Sequence, residues 1–252
     1  MRTEPLGIDI SRWQQPINWD KFSAQPVEFV AMRATIGVRY LDAWFKSSYE
    51  MALHNRIPRT AYHVVRPDCG AKEQVDWFMQ AMGDAVFMDI YSDLPLVLDC
   101  EVDAGKSPAI IGQVIYDCAH YLEDITGKKP IIYSRTSWVN PYIGAKEWLN
   151  DYDWWMAQYG WAGKESQVVN IPLPPTIDRE RLIIHQTTDR LKGAKYGASS
   201  KQIDGNRWVS EFPLSEYIRE YRGENSEPVD APEPVTDGHK LNTLWDAHEE
   251  LH

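Results

Sequence analysis

Cysteine is scarce: three thiols, Cys69, Cys100 and Cys118, an odd number with no CxxC spacing. That excludes a disulfide framework or a cysteine-rich zinc site as the organising device and points to reduced thiols. Long apolar runs are missing too. Nothing approaches the roughly 18 consecutive apolar residues of a membrane span, so membrane insertion is not expected. The opening "MRTEPLGIDISRW" has neither a basic leader nor an apolar signal core, which predicts synthesis in a cytoplasm without a signal peptide. A clustered basic face is also lacking. The formal charge of −11 is concentrated in residues 223–252, where eight acids meet one base, Lys240, so residues 1–222 are nearly balanced. A polyanionic partner needs a concentrated basic surface, so nucleic acid is not expected. No P-loop, GxGxxG or GxSxG occurs, and no cofactor is indicated.

What is present is enough apolar material, 43% of 252 residues, for one large α/β domain or two smaller ones. Composition places the end of the folded body near Arg222. Residues 223–238, "GENSEPVDAPEPVTDG", combine proline and acids with few large apolar groups, the signature of a linker. Residues 239–252 form a short tail that could be helical, with Leu241, Leu244, Trp245 and Leu251 as its apolar positions. Its last five residues, "HEELH", satisfy the HExxH zinc pattern, but a third ligand and a cleft are lacking, so no metal is expected.

Within 1–222, strand-like runs recur at 6–11, 29–35, 59–65, 94–101, 129–134, 154–159, 182–187 and 201–208. Helical patterns fall between the early ones, at 42–55, 71–82 and 107–127, the last with Ser107 as N-cap, Pro108 at the first helical position and Gly127 as the stop. Eight strands alternating with helices predict a (β/α) barrel, irregular in its helix-poor second half.

The fourth strand reads "PLVLDCEVD". Side chains alternate along a strand, so Asp99 and Glu101 share a face with Cα atoms about 6–7 Å apart, and Cys100 points the other way. Two carboxylates that close cannot both ionise cheaply, which gives an acid beside a base. In such barrels the active site lies at the C-terminal ends of the strands. Asp9, Arg33, Tyr62, His63, Tyr133 and Gln186 all fall at equivalent places. Of the eleven tryptophans, Trp13, Trp138, Trp154, Trp155, Trp161 and Trp208 lie near strand ends. Some of these are expected in a sugar-stacking groove and most in packing.

The segments "GIDISRWQQPINWDKF", "FVAMRAT", "TAYHVV", "LVLDCE", "PIIYS", "WWMAQY", "IIHQTT" and "IDGNRW" occur in the order and spacing of glycoside hydrolase family 25, the Chalaropsis-type lysozymes, which the chain resembles over residues 6–208. The resemblance implies an irregular TIM-like barrel of eight strands and about five helices. It also implies cleavage of the β-1,4 bond between N-acetylmuramic acid and N-acetylglucosamine. By position, Glu101 resembles the family's general acid and Asp99 its partner, either as nucleophile or as the group that orients an assisting N-acetyl substituent. Asp9 and Asp204 match the other two acids, with Asp189 a rival to Asp204. Arg33, Tyr62, Tyr133, Trp155 and Gln186 are the expected substrate-binding or bracing residues. Where the family commonly has Trp-Gln-Tyr, this chain has His185-Gln186-Thr187, a change expected to reshape the groove wall. The longer DxxDxDxE motif of chitinases is missing.

The expected partner is therefore bacterial cell-wall peptidoglycan. The expected setting is a bacteriophage lysin, made in the host cytoplasm and acting at the wall. The alternative is a non-catalytic glycan-binding or virion structural module on the same barrel.

Overall fold

The structure is a computed structural model that describes residues 4–85, 92–160 and 167–224. Among the described residues nine strands form one sheet: β1 (Leu6–Ile10), β2 (Phe29–Ile36), β3 (Tyr40–Leu41), β4 (Arg59–Val64), β5 (Val97–Asp99), β6 (Ile131–Ser134), β7 (Asp153–Ala157), β8 (Leu182–Lys192) and β9 (Gln202–Trp208). The β1–β2 pairing closes it into a barrel of eight strands, with β3 a short antiparallel ribbon on the end of β2. From β1 through β8 the barrel neighbours are parallel. The last strand departs from a purely parallel barrel, because β9 is antiparallel to both β8 and β1. Its beginning, not its end, therefore sits beside the C-terminal ends of the other strands.

Among the described residues there are six α-helices: α1 (Trp19–Ser23), α2 (Phe45–His54), α3 (Ala71–Ala85), α4 (Pro108–Thr126), α5 (Thr136–Tyr142) and α6 (Leu214–Arg222). The three expected from periodicity are α2, α3 and α4. In α4, Ser107 accepts from the Ile110 N–H and Gly127 ends the helix at φ 67°, a left-handed conformation that glycine adopts without a Cβ penalty. Among the described residues the connection from β7 to β8 holds only a 3-10 turn at Arg179–Arg181, so the second half is irregular as its composition suggests.

Strand parity sorts the core. Val30, Met32, Leu98, Ile132, Trp154 and Met156 face outward into the cluster shared with the helices. Their alternating neighbours Phe29, Ala31, Val97, Ile131, Tyr133 and Trp155 face the barrel interior. The side chains two residues further along each inward face emerge at the mouth. The fourth strand is shorter than its apolar run: the ladder spans only Val97–Asp99. Pro95 has no N–H to contribute at the start, and Glu101 lies past the strand's end, although Cys100 N still reaches Tyr133 O at 2.9 Å. The linker beyond residue 224, the tail with its HExxH pattern and Trp161 lie outside the described residues.

Candidate active site

A pocket opens at the mouth, lined by Asp9, Tyr62, Val97, Asp99, Glu101, Tyr133, Trp155, Tyr159, Gln186, Asp189 and Asp204. Val97, Asp99 and Glu101 line it together, as the alternation along "VLDCE" requires. Cys100 is buried on the opposite side, in the cluster shared with the helices.

Two pairs of acids result. Asp9 and Asp204 are opposite one another in the β1–β9 register. Asp9 accepts from Gln186 Nε2 at 3.0 Å and from Asn206 Nδ2 at 2.8 Å. Burial raises its pKa, and these bonds hold it back. Asp204 is pushed up to about 9, first by burial and then by the charge of Asp9 and a hydrogen bond to it, so the pair's proton stays on Asp204. In the second pair, burial pushes Asp99 well above the usual carboxylate range; the charges of Glu101 and Asp9 add to this, and Arg33 opposes it. Asp99 Oδ1 is buried with no hydrogen-bond partner. Glu101 is also raised by burial, opposed by Arg135, whose Nη1 is 3.9 Å from Glu101 Oε2.

The walls are braced by a single network. The hydroxyls of Tyr133 and Tyr159 each donate to Gln186 Oε1 at 2.9 Å, while Gln186 Nε2 holds Asp9. Trp155 Nε1 donates to Asn206 Oδ1 at 2.9 Å, and its ring meets Tyr133 edge-on at 4.9 Å. These donors fix which end of each amide faces which partner.

Of the nine expected site residues, eight line the pocket and one does not. Arg33 does not line it and is held by Asp42, which accepts from Arg33 Nε at 3.0 Å and Nη2 at 2.8 Å. It acts on Asp99 and Tyr62 through its charge. Neither His185 nor Thr187 lines the pocket; both are buried, with His185 Nε2 bonded to Gln158 O at 2.7 Å and Thr187 Oγ1 to Gly205 O at 3.2 Å. The departure from Trp-Gln-Tyr therefore falls on the far face of β8 and leaves the groove wall untouched. The rivalry between Asp189 and Asp204 resolves into two roles, since both line the pocket. Asp204 pairs with Asp9, while the half-exposed Asp189 sits 3.2 Å from Arg190 Nε.

His63 points away from the mouth, between Thr35 Oγ1 at 2.7 Å and Gln74 Oε1 at 3.1 Å. Trp138, Trp154 and Trp208 are packing residues, 4%, 0% and 2% exposed. Trp208 ends β9 at the foot of the barrel because that strand runs backwards. Sequence reasoning missed Tyr159, Asn206 and Asp42. Parity could have found the first two: Tyr159 follows Trp155 and Ala157 at intervals of two, and Asn206 follows Asp204. Among the described residues no group of His, Cys, Asp and Glu is arranged to hold a metal ion, and no helix is long and apolar enough to cross a membrane.

A family model described as "Glycosyl hydrolases family 25" matches residues 8–194, well over half of the chain. The chain belongs to that family. Among relatives of known sequence, Lysozyme M1 of Streptomyces globisporus is 30% identical over 162 residues, 61% of this chain and 54% of its own length. The uncharacterized protein YegX of Escherichia coli strain K12 is 30% identical over 158 residues, 61% of this chain and 56% of its own. The matched region thus spans about half the length of these relatives. The crystal structure of the bacterial lysozyme from Streptomyces coelicolor superposes with a TM-score of 0.71 at 25% identity, covering 87% of this chain and 97% of that one. The barrel described above is the family 25 barrel.

Proposed function

We propose that this family 25 chain is a peptidoglycan hydrolase, an N-acetylmuramidase that cleaves the β-1,4 bond between N-acetylmuramic acid and N-acetylglucosamine. The observation that carries the reading is the Asp99–Glu101 pair on one face of an open pocket, with Glu101 pushed toward its protonated form by burial. Glu101 delivers its proton to the glycosidic oxygen as the bond to C1 breaks, and as a carboxylate it then takes a proton from the incoming water. Asp99 fits an orienting role. Its unpartnered Oδ1 accepts the N–H of the substrate's acetamido group, whose carbonyl oxygen covers C1. Asp9 and Asp204, sharing a proton, hold water or sugar hydroxyls, and Tyr62, Tyr133, Trp155 and Gln186 form the walls.

The catalytic unit proposed is residues 1–222, with 223–238 as linker and 239–252 as tail; the site of action is the bacterial cell wall. The setting proposed is that of a bacteriophage lysin, made in the host cytoplasm and acting at the wall.

The test is reducing-end analysis of digested peptidoglycan. New muramic acid ends are expected; glucosamine ends would move the cut to the other linkage, and no ends at all would favour a glycan-binding module. Glu101→Gln should fold and bind glycan while losing about 10²–10⁴-fold in turnover, the worth of general acid help.

A further inference from the structure

A second pocket lies at the foot of the barrel, at the end opposite the catalytic mouth. Lys128, Lys129, Asp151, Asp153 and Arg181 line it where β6, β7 and β8 begin, and Tyr217 and Tyr221 of α6 form one side. Part of its charge is already matched. Arg181 Nη1 stands 3.4 Å from Asp153 Oδ1, and the Tyr217 hydroxyl donates to Asp153 Oδ2 at 3.0 Å. The two lysines are not matched. Lys128 Nζ donates to Tyr221 O at 2.9 Å and Lys129 Nζ to Asp151 O at 3.0 Å, so both exposed ammonium groups rest on backbone carbonyls; among the described residues neither has a carboxylate partner.

The sequence beyond α6 supplies the missing charge. Lys128 sits on the last turn of that helix, and the chain leaves the same turn through Gly223 and Glu224. Residues 225–238, "NSEPVDAPEPVTDG", then bring Glu227, Asp230, Glu233 and Asp237 without a single base. An extended chain covers about 3.3–3.6 Å per residue, so the six steps from Tyr221 to Glu227 reach about 20 Å, ample to turn back onto Lys128. The mouth offers such a segment no seat. Asp9, Asp99, Glu101, Asp189 and Asp204 line it, and like charges repel.

We propose that the acidic, proline-rich segment 225–238 of this chain docks in the foot pocket, its carboxylates against Lys128 and Lys129. Pro228, Pro232 and Pro234 favour a polyproline II course, whose three residues per turn put Glu227, Asp230 and Glu233 on one edge at intervals of about 9 Å. That edge meets the lysines. The prolines pack on the rings of Tyr217 and Tyr221, the contact by which aromatic grooves take such preformed strands at little cost in entropy. The chain leaving the catalytic body is thereby held at the end away from substrate. None of these residues lines the mouth, so the inference is independent of the muramidase reading.

The first test is zero-length carbodiimide coupling of the full chain, read by peptide mass spectrometry. Amide links from Lys128 or Lys129 to Glu227, Asp230 or Glu233 within one chain are expected, and they should fall severalfold at about 1 M salt, where charges are screened beyond about 3 Å. Links only between two chains would assign the pocket to a second copy, and links spread evenly over the exposed lysines would leave it without this occupant; either overturns the proposal. Closeness along the chain favours some coupling by itself, so a charge swap decides. Lys128→Glu with Lys129→Glu, and separately Glu227→Lys with Asp230→Lys and Glu233→Lys, should each lower the melting temperature by about 1–4 °C at low salt, and the combined variant should recover most of that loss. Losses that simply add would overturn the docking. Glycan cleavage should be the same in all these variants, so its absence from every one of them bears on the muramidase reading alone.

Discussion

The guanidinium of Arg135 stands 3.9 Å from the Glu101 carboxylate, a loose ion pair whose side chains are 54% and 33% exposed. Burial raises the Glu101 pKa and Arg135 pulls it back. A general acid must be protonated to act, so activity fades as pH rises through its pKa. Removing the cation leaves burial less opposed, and in Arg135→Met the alkaline limb of kcat/KM against pH should move to higher pH. The pair is partly solvated, so the difference between variant and wild type should shrink in high salt. A limb that stays put, or moves down, would take Arg135 out of control of Glu101.

Asp99 combines burial with an orphaned oxygen. Its pKa is raised in the folded state, so its contribution to stability is greatest below the unfolded value and is lost as pH rises through the folded one. At neutral pH the site is a stability cost kept for function. Asp99→Asn should abolish most activity yet unfold later at pH 7, by about 1 kcal/mol or about 2–4 °C. Calorimetry at pH 7 and pH 4 decides it: the gain should be smaller at the lower pH, and a lower melting temperature at both would contradict the account.

Gln186 joins Tyr133 and Tyr159 to Asp9. Gln186→Ala strands the buried Tyr133 hydroxyl and takes a donor from Asp9, which should cost about 1–3 kcal/mol in urea unfolding. It should also lower kcat/KM by about tenfold or more, because the wall and the Asp9–Asp204 pair lose their common brace. A variant with wild-type stability would show that water replaces the amide without penalty.

His63 is neutral in the fold, its Nδ1 receiving the Thr35 hydroxyl and its Nε2 donating to Gln74, and burial lowers its pKa to about 4. The unfolded chain takes up this proton near the ordinary value of 6.5, so stability should fall as pH drops from about 6.5 to about 4, by up to about 3 kcal/mol. The mouth carboxylates work in the opposite direction, so the measurement is the difference between wild type and His63→Gln across that window. Parallel curves would mean that His63 takes its proton in the folded state as readily as when unfolded.

Much of the molecule was written in short-range pattern. The period of two along each strand put Val97, Asp99 and Glu101 on one face and Cys100 on the other. Ser107, Pro108 and Gly127 bounded their helix, and the order of eight apolar runs gave the barrel and the end at which its acids gather. Such features depend on backbone geometry over a few residues, which local sequence dictates. Closure decided the rest. Asp9 meets Gln186 across 177 positions and Asn206 across 197, and only the reversed course of β9 brings Asp204 to the mouth rather than the foot. Arg33 stands near the mouth end of its strand, yet it pairs with Asp42, nine residues on, and does not line the pocket. Where a proton rests, which side chain braces and which one touches the sugar are set by burial and by partners distant in the chain, and those exist only once the sheet has joined its first strand to its last.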